Sequence, residues 1–440
     1  MKIKEILEIV KGRPLKLRDA DKEIKRFIID SRKAQKDSFF VPLKGSKADG
    51  HDFIDDALKK GSSGYLTSIE TDYKNGILVD DTLKALTEIG IFKRKKLKKA
   101  VGITGTSGKT TTKEILRFLL SDIFRVYATE GNYNNEIGLP LTLSNIPENT
   151  EVGVFELGAS KRGDISKLVS ISKPEVRVLT SVGHGHIEGF GSFEGVVQGK
   201  GEIFDGGEIS VLPEDLKIYY MDRLKKYVTF GISDYADIKI SEINITPEGT
   251  AGTVSYKNDK IRITVPVYSR ALFNNIAAAL SVLYALDINP VRSAEKLRDF
   301  SLPEGRGKVL RKGSLTVIDD SYNANPLSVK NAIETLSGIP SFRVLILGDM
   351  LELGDLSEQM HIKVGKEILS SDIDLILLYG RETYHTYTVI KDKKNSYHFD
   401  DKEKLYRKLM DSIKDKECVL LVKGSRGMRM EDIIEKVLQS

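Results

Sequence analysis

The stretch "AVGITGTSGKTTTKEIL", residues 100–116, constrains the fold more than any other part of the chain. An apolar run of strand type meets a loop of small residues, and an amphipathic stretch follows. Ile115, Leu116, Leu119 and Leu120 give that stretch one apolar face, so it reads as a helix packed on a sheet. A helix that starts at such a loop aims its first N–H groups, and the positive end of its dipole, into the loop. The strict nucleotide-loop pattern wants Gly six residues before the lysine, where this chain has Ile103. What remains is the shorter run Gly105-Thr106-Ser107-Gly108-Lys109-Thr110. Its glycines let the backbone turn and gather donors around an anion. Lys109 would neutralise the outer phosphates of a nucleotide and Thr110 would reach Mg²⁺, with Thr111 opening the helix. The bland alternative is a structural turn that happens to carry a lysine.

At 440 residues the chain exceeds one core, and three segments are expected. The first, 1–98, ends in the basic run "FKRKKLKKA" at 92–100, which reads as a solvated linker or helix end. The second, 99–302, alternates strand-like and helical runs as a parallel α/β sheet does, with an antiparallel β insertion expected over 208–268. A Pro-Glu-Gly-Arg-Gly break at 303–307 opens the third, 303–440. There "LTVIDDS", "RVLILGDM", "DLILLYG" and "CVLLVKGS" are short apolar runs ending in Gly, Asp or Ser, the pattern of a doubly wound sheet. Ligands of such sheets gather at the carboxyl ends of the strands. Asp349, Lys423, Ser425 and Arg426 stand there as candidates for gripping a substrate, with ordinary turn residues as the alternative.

Composition narrows the function classes. With 68 basic and 63 acidic residues the formal charge is only +5, which suits a small anionic substrate and gives little support to nucleic acid. Cys418 is the sole cysteine, which fits a reducing compartment. The amino terminus "MKIKEILEIVKG" carries charges every few residues, unlike a signal peptide. No apolar run approaches the ~18 residues of a membrane span. A cytoplasmic protein, monomeric and without a membrane span, is expected. Neither Asn-Lys-x-Asp nor Asp-x-x-Gly occurs, which counts against a GTPase switch.

A second constellation lies at 181–204, "SVGHGHIEGFGSFEGVVQGKGEIF". Ser192 can cap a helix there, and Phe193, Val196, Val197, Ile203 and Phe204 fall on one side at 100° per residue. Lys200 lies in the middle of that apolar side, with Gln198 and Glu202 opposite. Burial lowers an ammonium pKa, and a neutral amine can take up CO₂ as a carbamate, which supplies the oxygen ligands that Mg²⁺ prefers. The alternative is a lysine that snorkels to water. Glu156, ending the run "VGVFELG", and His186, after "VRVLT", favour a metal site, since both would emerge at the ligand-bearing edge of the sheet. His184 is close by, and a lone loop histidine is more often solvated.

"GTSGKTT", "ELGAS", "GHIEGF" with "GKGEIF", "EGRGK", "DDSYNANP" and "GDMLELG" together resemble the Mur ligases of peptidoglycan synthesis, over nearly the whole chain. "DDSYNANP" followed by "GDMLELG" resembles the branch that joins D-alanyl-D-alanine to UDP-N-acetylmuramoyl-tripeptide. The Asp-Asn-Pro-Arg motif of the sister that adds lysine or diaminopimelate is absent. The resemblance implies three α/β domains: a UDP-substrate domain, a P-loop ATPase and a Rossmann-like domain. It implies ATP and two Mg²⁺ ions, with Thr110 and Glu156 on one metal, and His186 and carbamylated Lys200 on the other. It further implies that Asn275 contacts adenine, that Arg306 and Asp320 lie around the ribose and phosphates, and that Asn325 belongs to the nucleotide site. Asn323, Asn134 and Asn135 match substrate positions. In "DSRKAQKDSFFVPLKGSKADGHDF" the UDP-sugar candidates are Ser31, Arg32, Lys44, Gly45, Asp49 and His51. Two departures stand out: Ala271 replaces the usual His before Asn275, and His184 replaces the usual acidic residue before His186. A folylpolyglutamate synthase shares the ligase core but lacks an amino-terminal UDP domain, which residues 28–65 resemble. A non-catalytic nucleotide-binding regulator would have no need of an inward-facing lysine.

Overall fold

The structure is a computed structural model that describes residues 1–45, 48–183, 187–246 and 248–439. Its chain forms two compact units. The first holds 1–102, 120–158 and 164–175, and the second 103–119, 159–163 and 176–440.

The first unit opens with a five-stranded sheet ordered Arg13–Leu15, Gly76–Leu78, Gly64–Thr67, Ser38–Phe40 and Arg26–Ile28, parallel except for its first strand. Helix Ile3–Val10 turns Ile3, Ile6 and Val10 inward at helical spacing, onto Phe27, Phe39, Leu66 and Ile77. Helix Thr82–Arg94 starts on Asp81, whose carboxylate accepts the Lys84 N–H at 2.9 Å, and buries Ala85, Leu86 and Ile89 in the same cluster. Each buried Ile, Leu, Val or Phe among them contributes ~1.5–3 kcal/mol.

The basic run is a helix end, as one of the two readings had it, but two of its cations are not solvated. Lys93 and Arg94 are buried, at 9% and 6% exposure. Each points its charge at backbone carbonyls: Lys93 Nζ donates to Ile146 O at 3.0 Å, and Arg94 to Ser172 O at 2.6 Å and Lys173 O at 2.7 Å. Arg94 also grips the Glu175 carboxylate. A run of cations reads as solvent-facing only while nothing shows the helix ends and carbonyls that meet it.

In the second unit the strands Val176–Leu179, Ile209–Pro213, Lys226–Gly231 and Ile238–Thr246 run parallel. Gly249–Tyr256 and Asp259–Val265 then fold back as an antiparallel hairpin, turning at Tyr256 and Asp259. The antiparallel part of 208–268 therefore begins only at Ile238. The last sheet orders Lys308–Lys312, Leu315–Asp320, Cys418–Lys423, Phe342–Gly348, Leu375–Tyr379 and Ser396–Phe399, all parallel but the first. Helices Pro326–Ser337, Ser357–Leu369 and Thr383–Ile390 bury one side of it, and Lys402–Ile413 and Glu431–Gln439 the other. It is doubly wound, with Asp320, Lys423 and Gly348 side by side at the carboxyl ends of three neighbouring strands. Among the described residues no helix is long and apolar enough to cross a membrane.

Candidate functional site

The phosphate loop joins strand Lys99–Thr104 to helix Lys109–Leu120. Two glycines are forced on it. Gly105 has φ +148° and Gly108 φ +86°, and a Cβ would strike Thr180 Oγ1 at the first and Asn275 Oδ1 at the second. Asn275 thus rests on the floor of the loop, where its Oδ1 also accepts the Thr112 hydroxyl at 3.4 Å. Lys109 Nζ folds back onto Gly105 O at 2.7 Å. Thr110 is buried behind the loop.

A bracket that sequence reasoning missed holds this loop from the side. Thr106 N–H donates to Ser181 O at 2.9 Å, and Ser107 N–H to Ser181 Oγ at 3.0 Å. The hydroxyls of Thr180 and Ser181 donate in turn to Ser107 O, at 2.6 and 3.0 Å, and Gly183 N–H donates to Thr106 Oγ1 at 3.0 Å. The signal was present in "LTSVG", a strand end rich in hydroxyls, but its target lies about 74 residues away in the chain.

Lys200 sits where the helical pattern places it. Ser192 Oγ accepts the Gly195 N–H at 3.0 Å and starts helix Phe193–Gly201. Val196, Val197 and Lys200 share the buried face, and Lys200 is 1% exposed, so it does not snorkel. Its Nζ donates to Ala159 O at 3.1 Å and lies 5.3 Å from the Phe190 ring centroid. The α-helix stops at Gly201, and Ile203 and Phe204 bury themselves from a following 3₁₀ turn. His186 and its neighbour His184 lie outside the described residues.

In the first unit Glu156 ends strand Val152–Glu156 at 3% exposure. Asn134 Nδ2 donates to its Oε1 at 2.7 Å, and Glu156 N–H donates to Thr129 Oγ1 at 3.0 Å. Asn135 instead caps its own chain, its Oδ1 accepting the N–H groups of Ile137 and Gly138. Among the UDP candidates, Ser31 opens a short turn capped by Asp30, and the Arg32 guanidinium clamps Asp30 and holds that carboxyl below the usual range. His51 Nε2 accepts the Ser68 N–H at 3.0 Å, so Nδ1 carries the proton and donates to Asp49 at 2.6 Å. The His51 backbone N–H, more than its ring, keeps the Asp49 carboxyl low. Lys44 bridges to Asp49, and Gly45 N–H donates to Ala48 O.

In the last sheet the strand-end candidates engage one another. Lys423, 2% exposed, donates to Asp320 Oδ2 at 2.6 Å and to Asn323 O at 2.9 Å. Asn325 caps helix Pro326–Ser337, its Oδ1 accepting the Ser328 N–H at 2.9 Å. Asp349 Oδ1 accepts the Thr383 N–H at 2.8 Å, and Ser425 N–H donates to Asp349 O. The Arg306 guanidinium lies 3.9 Å from the Tyr322 ring centroid, with Arg426 at 5.7 Å from the same ring and paired to Glu431. Tyr322 was not singled out from sequence.

The donor chemistry fits Mg²⁺. Thr110 and Glu156 supply hard oxygens, and Lys200 would supply them only as a carbamate. Among the described residues no three His, Cys, Asp or Glu gather as a protein-only metal cage. A metal carried on nucleotide phosphates needs no such cage.

Three family models match the chain: Mur ligase family, catalytic domain, over 23–93; Mur ligase middle domain over 103–283; and Mur ligase, glutamate ligase domain, over 305–426. The UDP-N-acetylmuramoyl-tripeptide–D-alanyl-D-alanine ligase of Bacillus subtilis is 33% identical over 455 residues, covering 100% of this chain and 98% of that protein. A crystal structure of MurF from Acinetobacter baumannii matches at a TM-score of 0.90 and 26% identity, covering 100% of this chain and 99% of that one. MurF from Thermotoga maritima in complex with ADP matches at 0.83 and 30%, covering 93% and 96%.

Proposed function

This chain belongs to the Mur ligase family, and on that premise we infer that it joins D-alanyl-D-alanine to UDP-N-acetylmuramoyl-tripeptide with conversion of ATP to ADP and phosphate. The observation that carries the reading is the match, over all of the chain, to ligases of that name. The proposed setting is the cytoplasm.

A carboxylate is a poor electrophile, so the proposed first step moves the γ-phosphoryl group of ATP onto the tripeptide carboxylate, giving an acyl phosphate and ADP. The dipeptide amine then attacks the carbonyl carbon and loses a proton, and phosphate leaves from the tetrahedral intermediate. Two anions must approach one another in this chemistry, and most of the catalysis is charge neutralisation and positioning. Lys109 is proposed to leave the Gly105 carbonyl and take up the β/γ-phosphates. The bracket from Thr180, Ser181 and Gly183 supports this, because it fixes the backbone of the loop that Lys109 follows. Asn275 and the stacked Arg306 are proposed to meet the nucleotide, and Arg426 the dipeptide, on a surface shaped by the buried Asp349, Lys423 and Ser425.

Two Mg²⁺ ions are proposed to neutralise phosphate charge when bound. Thr110 and Glu156 would hold one, and His186 with carbamylated Lys200 the other. The placement of Lys200 on the inward face of its helix, at 1% exposure, supports the carbamate reading, because it keeps the side chain away from bulk water.

The test is ADP release by the purified protein with Mg²⁺, bicarbonate and UDP-N-acetylmuramoyl-tripeptide, with and without D-alanyl-D-alanine. Release that depends on the dipeptide is expected. No release here, beside good release with folate and glutamate, overturns the assignment.

A further inference from the structure

His361 belongs to none of the motifs that pointed to the site, and it is fully buried. It lies on helix Ser357–Leu369, and its ring ties that helix to the segment that follows strand Phe342–Gly348. The Met350 N–H, which can only donate, reaches Nε2 at 3.2 Å. Nε2 therefore accepts, and the ring proton sits on Nδ1, 2.8 Å from Ser357 O, which can only accept. Both nitrogens are engaged and the neutral tautomer is fixed. A protonated ring would turn an N–H against an N–H.

The segment that His361 holds is a junction of strand ends. Asp349 Oδ1 accepts the Thr383 N–H, and Asp349 O accepts the Ser425 N–H at 3.1 Å. Leu351 N–H donates to Ser425 Oγ at 2.8 Å, and Ser425 Oγ donates to Ala324 O at 3.3 Å. Ala324 stands between Asn323 and Asn325. A continuous path thus runs from the buried ring through 349–351 and Ser425 to the asparagine loop.

We propose that His361 is a positioning residue for the dipeptide: its neutral ring fixes the 349–351 segment and, through Ser425, the loop Asn323–Asn325. The proposal rests on the ligase reading above, in which the surface shaped by Asp349 and Ser425 receives the dipeptide. The titratable groups that face the ring are Asp349 at the strand end, with Glu382 at the start of helix Thr383–Ile390 and His385 on that helix. Glu382 also accepts the Ser357 hydroxyl at 2.6 Å. Burial outweighs the pull of Asp349 and Glu382 and lowers the imidazole from its ordinary value. The ring therefore stays neutral at neutral pH and takes a proton only below the usual histidine range. Dipeptide binding then weakens as pH falls.

The experiment measures KM for D-alanyl-D-alanine and for ATP between pH 5 and 8, in the wild type, His361→Leu and His361→Gln, with thermal melts of each. His361→Leu orphans a buried N–H and is expected to raise the dipeptide KM roughly tenfold, with a smaller rise in the ATP KM through Asn325. Gln presents an oxygen near the place of Nε2, so His361→Gln is expected to restore most of the dipeptide KM. Lacking a titrating ring, it also keeps that KM flat at acid pH where the wild type's rises. A lowered melting temperature in His361→Leu with wild-type KM values overturns the proposal. So does a His361→Gln profile that follows the wild type's acid limb, which decides the matter if His361→Leu does not fold. Absence of dipeptide-dependent ADP release in the wild type overturns the ligase reading itself, and this proposal with it.

Discussion

Asn134→Ala asks how Glu156 is held. The Asn134 amide donates to the Glu156 carboxylate at 2.7 Å, and Glu156 is 3% exposed, so the bond is buried and charge-assisted. Hydrogen bonds to charged groups contribute ~1.5–3 kcal/mol. At ~1.4 kcal/mol per tenfold, that is roughly 10–100-fold in an equilibrium constant. Glu156 is proposed to hold Mg²⁺, and losing an outer partner of a metal-ligating side chain weakens metal affinity over the same range, ~10–100-fold. The Mg²⁺ concentration for half-maximal ADP release should therefore rise roughly 10–100-fold. Turnover at saturating Mg²⁺ should return to within a few-fold of the wild type. The local backbone is not at stake, because the bond from Gly158 N–H to Asn134 O uses a carbonyl that alanine keeps. Asn134→Asp sharpens the test. It sets a second carboxylate against the first, like charges raise carboxyl pKa values, and the Mg²⁺ requirement should worsen as pH falls. An unchanged Mg²⁺ requirement in both variants, read by coupled ADP detection, refutes the reasoning.

Lys109→Ala should lower turnover by at least ~10²–10³, the loss typical of one preorganised donor, and near-normal turnover would remove Lys109 from its role. CO₂-depleted buffer should lower activity and bicarbonate restore it, with ¹³C-bicarbonate giving a carbamate resonance that Lys200→Ala lacks; full activity without that resonance counts against the modified lysine. Burial lowers the Lys93 pKa from 10.5 to about 8. Between those values the unfolded chain binds more protons, so the stability of the first unit should rise with pH across about pH 8 to 10.5, by up to ~3 kcal/mol. Lys93→Met should flatten that limb in urea titrations followed by far-UV circular dichroism, and parallel curves for the two proteins would show that the lysine carries no such cost.

What was legible in the sequence was local. The strand, loop and helix around Lys109 occupy one short stretch, and their periodicities and glycines act within a few residues of one another. The inward side of Lys200 was legible for the same reason, because 100° per residue sets a face without knowledge of what covers it. Four strands of the last sheet were legible as apolar runs ending at Gly, Asp or Ser, while its two edge strands, Lys308–Lys312 and Ser396–Phe399, were not. What stayed hidden was pairing at a distance. The Thr180–Ser181 bracket, the Asn134 amide on Glu156 and the Lys423 ammonium on Asp320 join residues about 74, 22 and 103 positions apart. Polar side chains at strand ends look alike in sequence, whether they face a ligand or one another. The burial of Lys93 and Arg94 at an expected helix end stayed hidden for the same reason, for their partners are carbonyls that any residue could supply.

The strand ends of the last sheet show why this matters for assigning roles. Read as a string, Lys423, Ser425 and Arg426 are three equivalent candidates for an anionic dipeptide end. In the fold they divide. Register sets Lys423 directly beside Asp320, and the burial of Lys423 at 2% exposure makes the ion pair the condition for keeping its charge there. The lysine also holds the Asn323 carbonyl, so its ammonium orders the loop between Asp320 and Asn325 from below. Ser425 holds the same loop at Ala324. Arg426 differs from both: its side chain is 64% exposed, with Tyr322 and Glu431 as its neighbours. A charge that must meet a diffusing carboxylate has to be reachable by it, and of the three only Arg426 meets that requirement. Lys423 and Ser425 shape the surface on which such a contact is made, and His361 holds that surface from behind.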